Sequence, residues 1–378
     1  MHKPLFIGHE IFRTSSYGVH HPLRVPRVST VMDLSRAMGW LPADQFINSP
    51  RAKPKALEAW HDPAYIAALQ RIEAAQQIEG DDLERYSIGS ANNPVFAEIF
   101  CRPATAAGGS ILAGELLAEG GVVYNPAGGT HHGMPARANG FCYLNDPVLA
   151  MLSLRHHGVR RIAYVDIDAH HCDGVAEGFA GDRDCLMISV HEEGLWPRTG
   201  LIGDNAGGSA VNLPVPRGFN DADMAHVRDA LIAPMVAEFA PDAIVLLCGA
   251  DGVVDDPLAH LGMSNNAHWD VLRRLMALGA PRLLVLGGGG YNPWTVGRMW
   301  AGVWAILNGH DPDAAVSPQA QSVLRALSFP GNSRGRNPPE HWFTTLRDAP
   351  QEDAAISTEV RDRVAFLMRQ RRSWKTAY

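Results

Sequence analysis

The sequence predicts an α/β fold, with a mainly parallel central sheet covered by helices on both faces. Three observations carry that expectation. Six short runs are rich in Val, Ile and Leu and do not alternate with polar residues, as strands buried on both faces do. Segments with apolar positions spaced by three and four lie between them. No repeat or low-complexity stretch divides the 378 residues, so one domain over 1–378 is expected, with its core at about 9–308.

In chain order the strand candidates are PLFIGH (4–9), GVVYNP (121–126), RIAYVDID (161–168), CLMISVH (185–191), AIVLLCGAD (243–251) and RLLVLGGGG (282–290). The first hundred residues otherwise read as helix and loop. A helix is expected over 223–240, capped by Asp221 or Asp223. Two more, over 266–279 and 295–309, end on a glycine, a common helix stop. Residues 311–378 carry a turn cluster, SFPGNSRGRNPPE, and then a charged helix from about 357. That tail reads as a peripheral wrap.

Composition narrows the function classes. Apolar residues are 46% and charged residues 19%, which fits a folded chain and not a disordered one. Against 33 Lys and Arg stand 40 Asp and Glu, a net charge of −7. A coat for nucleic acid or anionic lipid is usually basic, so neither partner is expected. Five cysteines, at 101, 142, 172, 185 and 248, form no C-x-x-C and suit a reducing compartment. No run reaches the ~18 residues of a membrane span, and the start lacks an apolar signal-peptide core. A cytoplasmic location is expected.

Sites in open α/β sheets form at the carboxyl ends of strands. The segments that follow five of the runs are AGGTHHG, DAHHCDG, HEEGLWPRTG, DGVVDD and GYNPW. Asp168 and His170 stand two apart at one strand end, so they share a face. Asp251, at another, supplies a third ligand. Two carboxylates and an imidazole suit Zn²⁺ or Fe²⁺, and three protein ligands leave a position open for water. Each residue alone reads as a cap or loop residue; the set reads as one metal site. His131 and His132, adjacent in a glycine-flanked loop, suit base and acid roles, with Asp166 and Asp173 placed to orient them. The GGGGY run (287–291) lacks the spacing of a dinucleotide loop; its Tyr291 is a candidate oxyanion donor.

Four motifs, GGTHHG…NGFCYLND (128–146), VDIDAHHCDGVAEGF (165–179), CGADGVVDDPL (248–258) and LGGGGYNPWTVGRMW (286–300), closely resemble the zinc-dependent histone deacetylase and acetoin-utilisation protein family, nearest its class I branch. The likeness runs from about residue 9 to 308, with HHPLRVPRV (20–28) and WHDPAYI (60–66) in support. It implies a single-domain arginase/deacetylase-like fold and zinc-dependent removal of acetyl or another short acyl group from acyl-lysine, in protein or peptide, or from a small acyl-amine. It further implies one zinc on Asp168, His170 and Asp251; His132 with Asp173 as general base; His131 with Asp166 as its electrostatic partner; and Tyr291 as oxyanion donor. Gly140, Phe141 and Trp196 resemble channel walls, Leu258 the channel mouth, and Arg27 the arginine on the acetate exit path. Asp166, Asp168, the His170 carbonyl, Ser189 and the Val190 carbonyl resemble a structural potassium site.

Two positions depart from the family pattern. Asn92, in SIGSANNPVF (87–96), stands where an acidic rim residue usually holds the substrate backbone. Trp196 replaces the usual Phe and implies a narrower channel. Two rival readings remain. A binuclear manganese ureohydrolase would carry carboxylates where this chain has Cys172 and Val253. A catalytically silent acyl binder would be expected to lose a histidine or the tyrosine, and both histidines and Tyr291 are present.

Overall fold

The computed structural model describes residues 3–376 except Val19, 330–334 and 336, with backbone only from 371 on. Eight strands form one sheet: β1 (Leu5–Gly8), β2 (Phe46–Asn48), β3 (Gly121–Asn125), β4 (Ile162–Asp166), β5 (Cys185–Glu192), β6 (Ala210–Val215), β7 (Ala243–Leu247) and β8 (Arg282–Leu286). Their order is β2-β1-β3-β8-β7-β4-β5-β6, and every pairing is parallel.

The reason the central runs do not alternate is visible in the packing. Along β4, Ala163 and Val165 join one core cluster, while Ile162 and Tyr164 join the other. β7 and β8 divide in the same way, Ile244 and Leu283 to one side, Val245 and Leu284 to the other. Both faces are dry, so both sets of side chains are apolar. Helices Cys101–Leu116 and Asp146–His156 are in close contact and supply Ala113 and Leu154 to the second cluster. Helices Val28–Ala37, Asn265–Met276 and Pro293–Leu307 feed the first. Pro293–Leu307 is buried along its whole length and is capped by the Asn292 side chain.

All six expected strands form. The sequence reading passed over two, β2 and β6, and both are sheet edges. β2 has three residues, and β6 contains Pro214. Proline is tolerated at an edge because its missing N–H faces away from the ladder.

The helix expected over 223–240 is corrected in two respects. Its cap is Asn220, whose side chain accepts the Ala222 and Asp223 N–H groups; Asp223 returns the bond to the Asn220 N–H. Asp221 instead accepts from the Ser264 backbone, 43 residues on. The helix also widens into a π segment over Arg228–Ile232 before resuming at Ala233–Phe239. Pro234, with no N–H for the carbonyl one turn back, sits just after that widened turn.

The C-terminal part is more than a surface cover. Trp342 stacks on Trp294 with centroids 5.4 Å apart, and Val360, Val364 and Leu367 join the main core. The charged helix spans Thr358–Thr376; residues 330–334 and 336 of the turn cluster lie outside the described set. No helix among the described residues is long and apolar enough to cross a membrane.

Candidate active site

β4 ends at Asp166 and β7 at Leu247. Asp168, His170 and Asp251 therefore lie in the loops beyond the strands, and a strand pleat is not what aligns them. Short loop hydrogen bonds do so. The Asp168 N–H donates to Asp166 Oδ1 at 3.0 Å, and the His170 N–H to Asp168 Oδ1 at 2.9 Å. Asp251 is tied across by the Ala169 N–H at 2.9 Å, and Asp168 by the Gly289 N–H at 2.6 Å. The ligand atoms of Asp168, His170 and Asp251 all fall within 4.8 Å of one another. His170 Nδ1 lies 3.1 Å from Asp168 Oδ1 and 2.9 Å from Asp251 Oδ2.

This donor set fits a divalent metal ion, and its electrostatics call for one. Burial and the Asp168 charge push the Asp251 carboxyl up to about 6, because two buried carboxylates lie close together. A cation between them relieves that repulsion. The glycine run supports the close packing: a β-carbon on Gly289 would sit 2.0 Å from Asp251 Oδ2. Cys172 and Val253, where a second metal would need carboxylates, are both buried in apolar clusters.

The histidine pair sits beside this cluster with ring centroids 4.0 Å apart. His131 Nδ1 lies 2.8 Å from Asp166 Oδ2, and His132 Nδ1 2.6 Å from Asp173 Oδ1. Asp166 also accepts from the Tyr164 hydroxyl at 2.6 Å, and Asp173 from Asn139 Nδ2 at 2.9 Å. Each carboxylate thus faces an Nδ1, leaving Nε2 directed elsewhere. The surroundings split the pair. Burial opposes charge on His131, but Asp166 and Asp168 outweigh it and hold the imidazole up at about 9. Burial and the charge on His131 push His132 down to about 4, against the pull of Asp173. Two titratable groups driven apart in this way suit different proton roles.

A cavity lined by Gly140, Phe141, His131, His132 and Tyr291 leads to Asp168 and His170. Gly140 has φ +50°, and a β-carbon there would meet the Trp196 ring at 2.2 Å. Trp196 lies edge-on to His132, centroids 4.6 Å apart, with its ring partly exposed. Phe141 is edge-on to Tyr291 at 6.0 Å. The Tyr291 hydroxyl has no hydrogen-bond partner among the described residues. Leu258 is partly buried and packs against the core cluster that contains Tyr291. Asn92 is exposed, its carbonyl 3.3 Å from His21 Nε2. Arg27 Nη1 donates to the Gly288 carbonyl at 2.7 Å. Asp166 and Ser189 are register partners on β4 and β5, both buried, with Val190 next in line.

Several contributing residues escaped the sequence reading. Asp146, fully buried, accepts from the Gly129 and Thr130 N–H groups and from Ser110 Oγ, pinning the loop before His131. Asn145 Nδ2 donates to the carbonyls of His131 and Gly133. His61 Nε2 accepts the Asn145 N–H at 2.9 Å, and its Nδ1 lies 3.1 Å from the Met134 carbonyl. Asn93 holds the Phe141 N–H at 3.0 Å. Asp256 is buried and accepts from the Leu258 and Tyr291 N–H groups. The LND tripeptide (144–146) was a usable signal; His61 and Asp256 fall within the quoted runs WHDPAYI and CGADGVVDDPL, but nothing in those runs gives either residue its role.

A parallel α/β sheet with two carboxylates, an imidazole and two His–Asp pairs at its strand ends defines the class, and residues 21–307 match the model described as the histone deacetylase domain. The chain belongs to the histone deacetylase family. It is 30% identical over 332 residues to the acetoin utilization protein AcuC of Bacillus subtilis (strain 168), covering 84% of this chain and 86% of that one. It is 35% identical over 301 residues to histone deacetylase 9 of Arabidopsis thaliana, covering 77% and 70%. The crystal structure of an HDAC homolog from Aquifex aeolicus superposes with a TM-score of 0.90 at 31% identity, covering 97% of this chain and all of that one.

Proposed function

We propose that this protein is a zinc-dependent amidohydrolase that removes acetyl or another short acyl group from acyl-lysine. The observation that carries the reading is the pairing of His132 with Asp173 and of His131 with Asp166, directly beside the Asp168, His170 and Asp251 cluster. Those three residues would hold one divalent ion, which when bound supplies Lewis acidity to the amide carbonyl and to water. A potassium ion at Asp166, Asp168, Ser189 and the His170 and Val190 carbonyls would brace the same loop.

The chain's own groups do the rest. Gly140 and Phe141 line the cavity, with Trp196 packed against Gly140 and His132, and this apolar wall would accept an aliphatic stem. His132, neutral at pH 7, takes the proton from the attacking water at Nε2, because Asp173 faces Nδ1. His131, held positive by Asp166 and Asp168, favours the negative charge that develops in the transition state. The Tyr291 hydroxyl donates to the oxyanion of the tetrahedral carbon. His132 then returns its proton to the leaving amine as the C–N bond breaks. Leu258 is neutral and Asp256 is turned inward to backbone N–H groups, so the inner mouth favours a single aliphatic amine over a polycation.

The test is a panel of acyl-lysine peptides and acyl-polyamines offered to zinc-loaded protein. Turnover of an acyl-lysine peptide with kcat/KM above that for acetylspermidine is expected. A strong preference for acetylspermidine over every peptide would replace the substrate assignment, and no turnover of either class would favour a silent acyl binder.

A further inference from the structure

One wall of the cavity is a strained hairpin turn. Asn139 and Cys142 exchange both N–H···O bonds, at 3.0 and 2.9 Å, and close a two-residue turn over Gly140 and Phe141. Both turn residues have positive φ, +50° at Gly140 and +68° at Phe141, as a primed turn requires. Glycine adopts that conformation freely; a phenylalanine does so under strain. Six non-glycine residues have positive φ among the described residues. Gln76, Ser87 and Ala240 end helices, where that conformation is common. Phe141 is the only one of the six that lines the cavity. Such strain persists only where the surroundings over-determine it, and it gathers at ligand clamps.

Asn93 supplies that constraint. Its Oδ1 accepts the Phe141 N–H at 3.0 Å. The amide is itself fixed. Asn93 is buried, its Nδ2 donates to the Ser87 carbonyl at 3.2 Å, its N–H donates to Ser90 Oγ at 3.1 Å, and its carbonyl accepts the Gly89 N–H at 2.8 Å. The same segment also reaches the Phe141 ring. The Asn92 carbonyl lies 3.3 Å from His21 Nε2, and His21 is edge-on to Phe141 with centroids 4.4 Å apart. On the far side of the turn, Asn139 is bonded to Asp173 and Gly140 meets the Trp196 ring. With both flanks held, a left-handed Phe141 places its ring between His21 and Tyr291. Asn93 does not itself line the cavity, so it acts through Phe141.

We propose that Asn93 is a specificity-determining positioning residue: it holds Phe141 in the left-handed turn that keeps the ring against the aliphatic stem of the acylated amine. The proposal rests on the amidohydrolase reading above and deepens it on the amine side of the bond. Without the Asn93 acceptor, the Phe141 N–H loses its partner and nothing offsets the strain of the turn. The ring then leaves the wall, and the passage stops favouring a long aliphatic stem over a ligand without one. The Asp168, His170 and Asp251 cluster and the His132–Asp173 pair keep their own bonds.

A binding arm needs no turnover. Octanohydroxamate and acetohydroxamate both chelate a bound zinc ion, and only the first carries an aliphatic stem. Calorimetric titration of zinc-loaded protein gives the preference for the first over the second. Asn93→Ala is expected to shrink that preference at least fivefold, with acetohydroxamate affinity within twofold of wild type. Asn93→Asp keeps an acceptor for the Phe141 N–H and is expected to recover part of it. In a Phe141→Ala background the preference is already low, and adding Asn93→Ala should change it less than twofold. A turnover arm with an acyl-lysine peptide should show KM raised at least fivefold in Asn93→Ala and kcat changed much less. An unchanged preference in Asn93→Ala, or the same fivefold loss with and without the Phe141 ring, overturns the assignment. If Asn93→Ala does not fold, Asn93→Ser, whose hydroxyl is one atom shorter than the amide, is read against the same outcomes. If no acyl-lysine is turned over, the amidohydrolase reading fails while the hydroxamate preference still tests the role of Asn93.

Discussion

The two ends of the sheet treat charge in opposite ways. At the amino end, several charged groups meet partners that complete them. Arg282 donates from Nε to the Leu117 carbonyl at 2.8 Å and from Nη2 to Ala118 at 2.6 Å, closing the end of helix Cys101–Leu116. Arg161 does the same for Phe239, the last residue of its helix. Asp242 accepts the Arg161 N–H at 2.8 Å. Cations against the negative ends of helices stabilise the fold. At the carboxyl end like charges are crowded instead: Asp168 and Asp251 share one imidazole. At the amino end the charges named are answered within the fold. At the carboxyl end Asp168 and Asp251 repel one another, and a cation between them would relieve that repulsion.

The sharpest way to break the contrast is to remove a ligand at the carboxyl end. Asp168→Ala or Asp251→Ala is expected to lower bound metal from one per chain to a small fraction after dialysis against a chelator, and to abolish turnover. Metal analysis checks this; a variant that keeps stoichiometric metal contradicts the ligand set.

Tyr291→Phe tests a smaller loss. Its hydroxyl has no partner among the described residues, so packing should survive. Turnover is expected to fall roughly 10²–10³-fold, about 3–4 kcal/mol of transition-state stabilisation, with KM changed much less. A kcat within about threefold of wild type at equal metal content rules out the oxyanion role.

His61 links the carboxyl end to pH. Burial, opposed by its bonds to the Pro135 and Met134 carbonyls, lowers it from 6.5 to about 4. The unfolded chain therefore binds the proton more readily between those values. The contribution to stability is whole above about pH 6.5 and is lost as pH falls to about 4, on the order of 3 kcal/mol. Urea unfolding at pH 7 and 4.5 should show a shallower acid loss in His61→Gln than in wild type; parallel losses would sink the assignment.

The smallest effect is expected at the completed end. Arg282→Ala removes two bonds to helix-terminal carbonyls and should cost about 2 kcal/mol of stability, seen as a lower Tm. It should leave kcat unchanged at a temperature where both proteins are folded. A kcat loss of tenfold or more would mean that the two ends are coupled.

The sequence by itself determined the layered α/β architecture, because apolar runs without alternation have one stable solution, a sheet covered on both faces. It also pointed to the candidate site residues, since Asp168 and Asp251 close such runs and His131, His132, His170 and Tyr291 follow them. Tertiary structure decided the rest. The edge strands β2 and β6 carry no strong pattern, because an edge is only partly buried and tolerates Pro214. The alignment of Asp168 with His170 comes from loop hydrogen bonds, which residue spacing does not encode. The parts played by His61, Asp146, Asp256 and Arg102 depend on partners 84, 17, 35 and 87 residues away. A polar residue in sequence looks the same whether it will be exposed or buried. Only the fold shows which carboxylates are answered by backbone N–H groups, and which arginines lie buried beside a cavity.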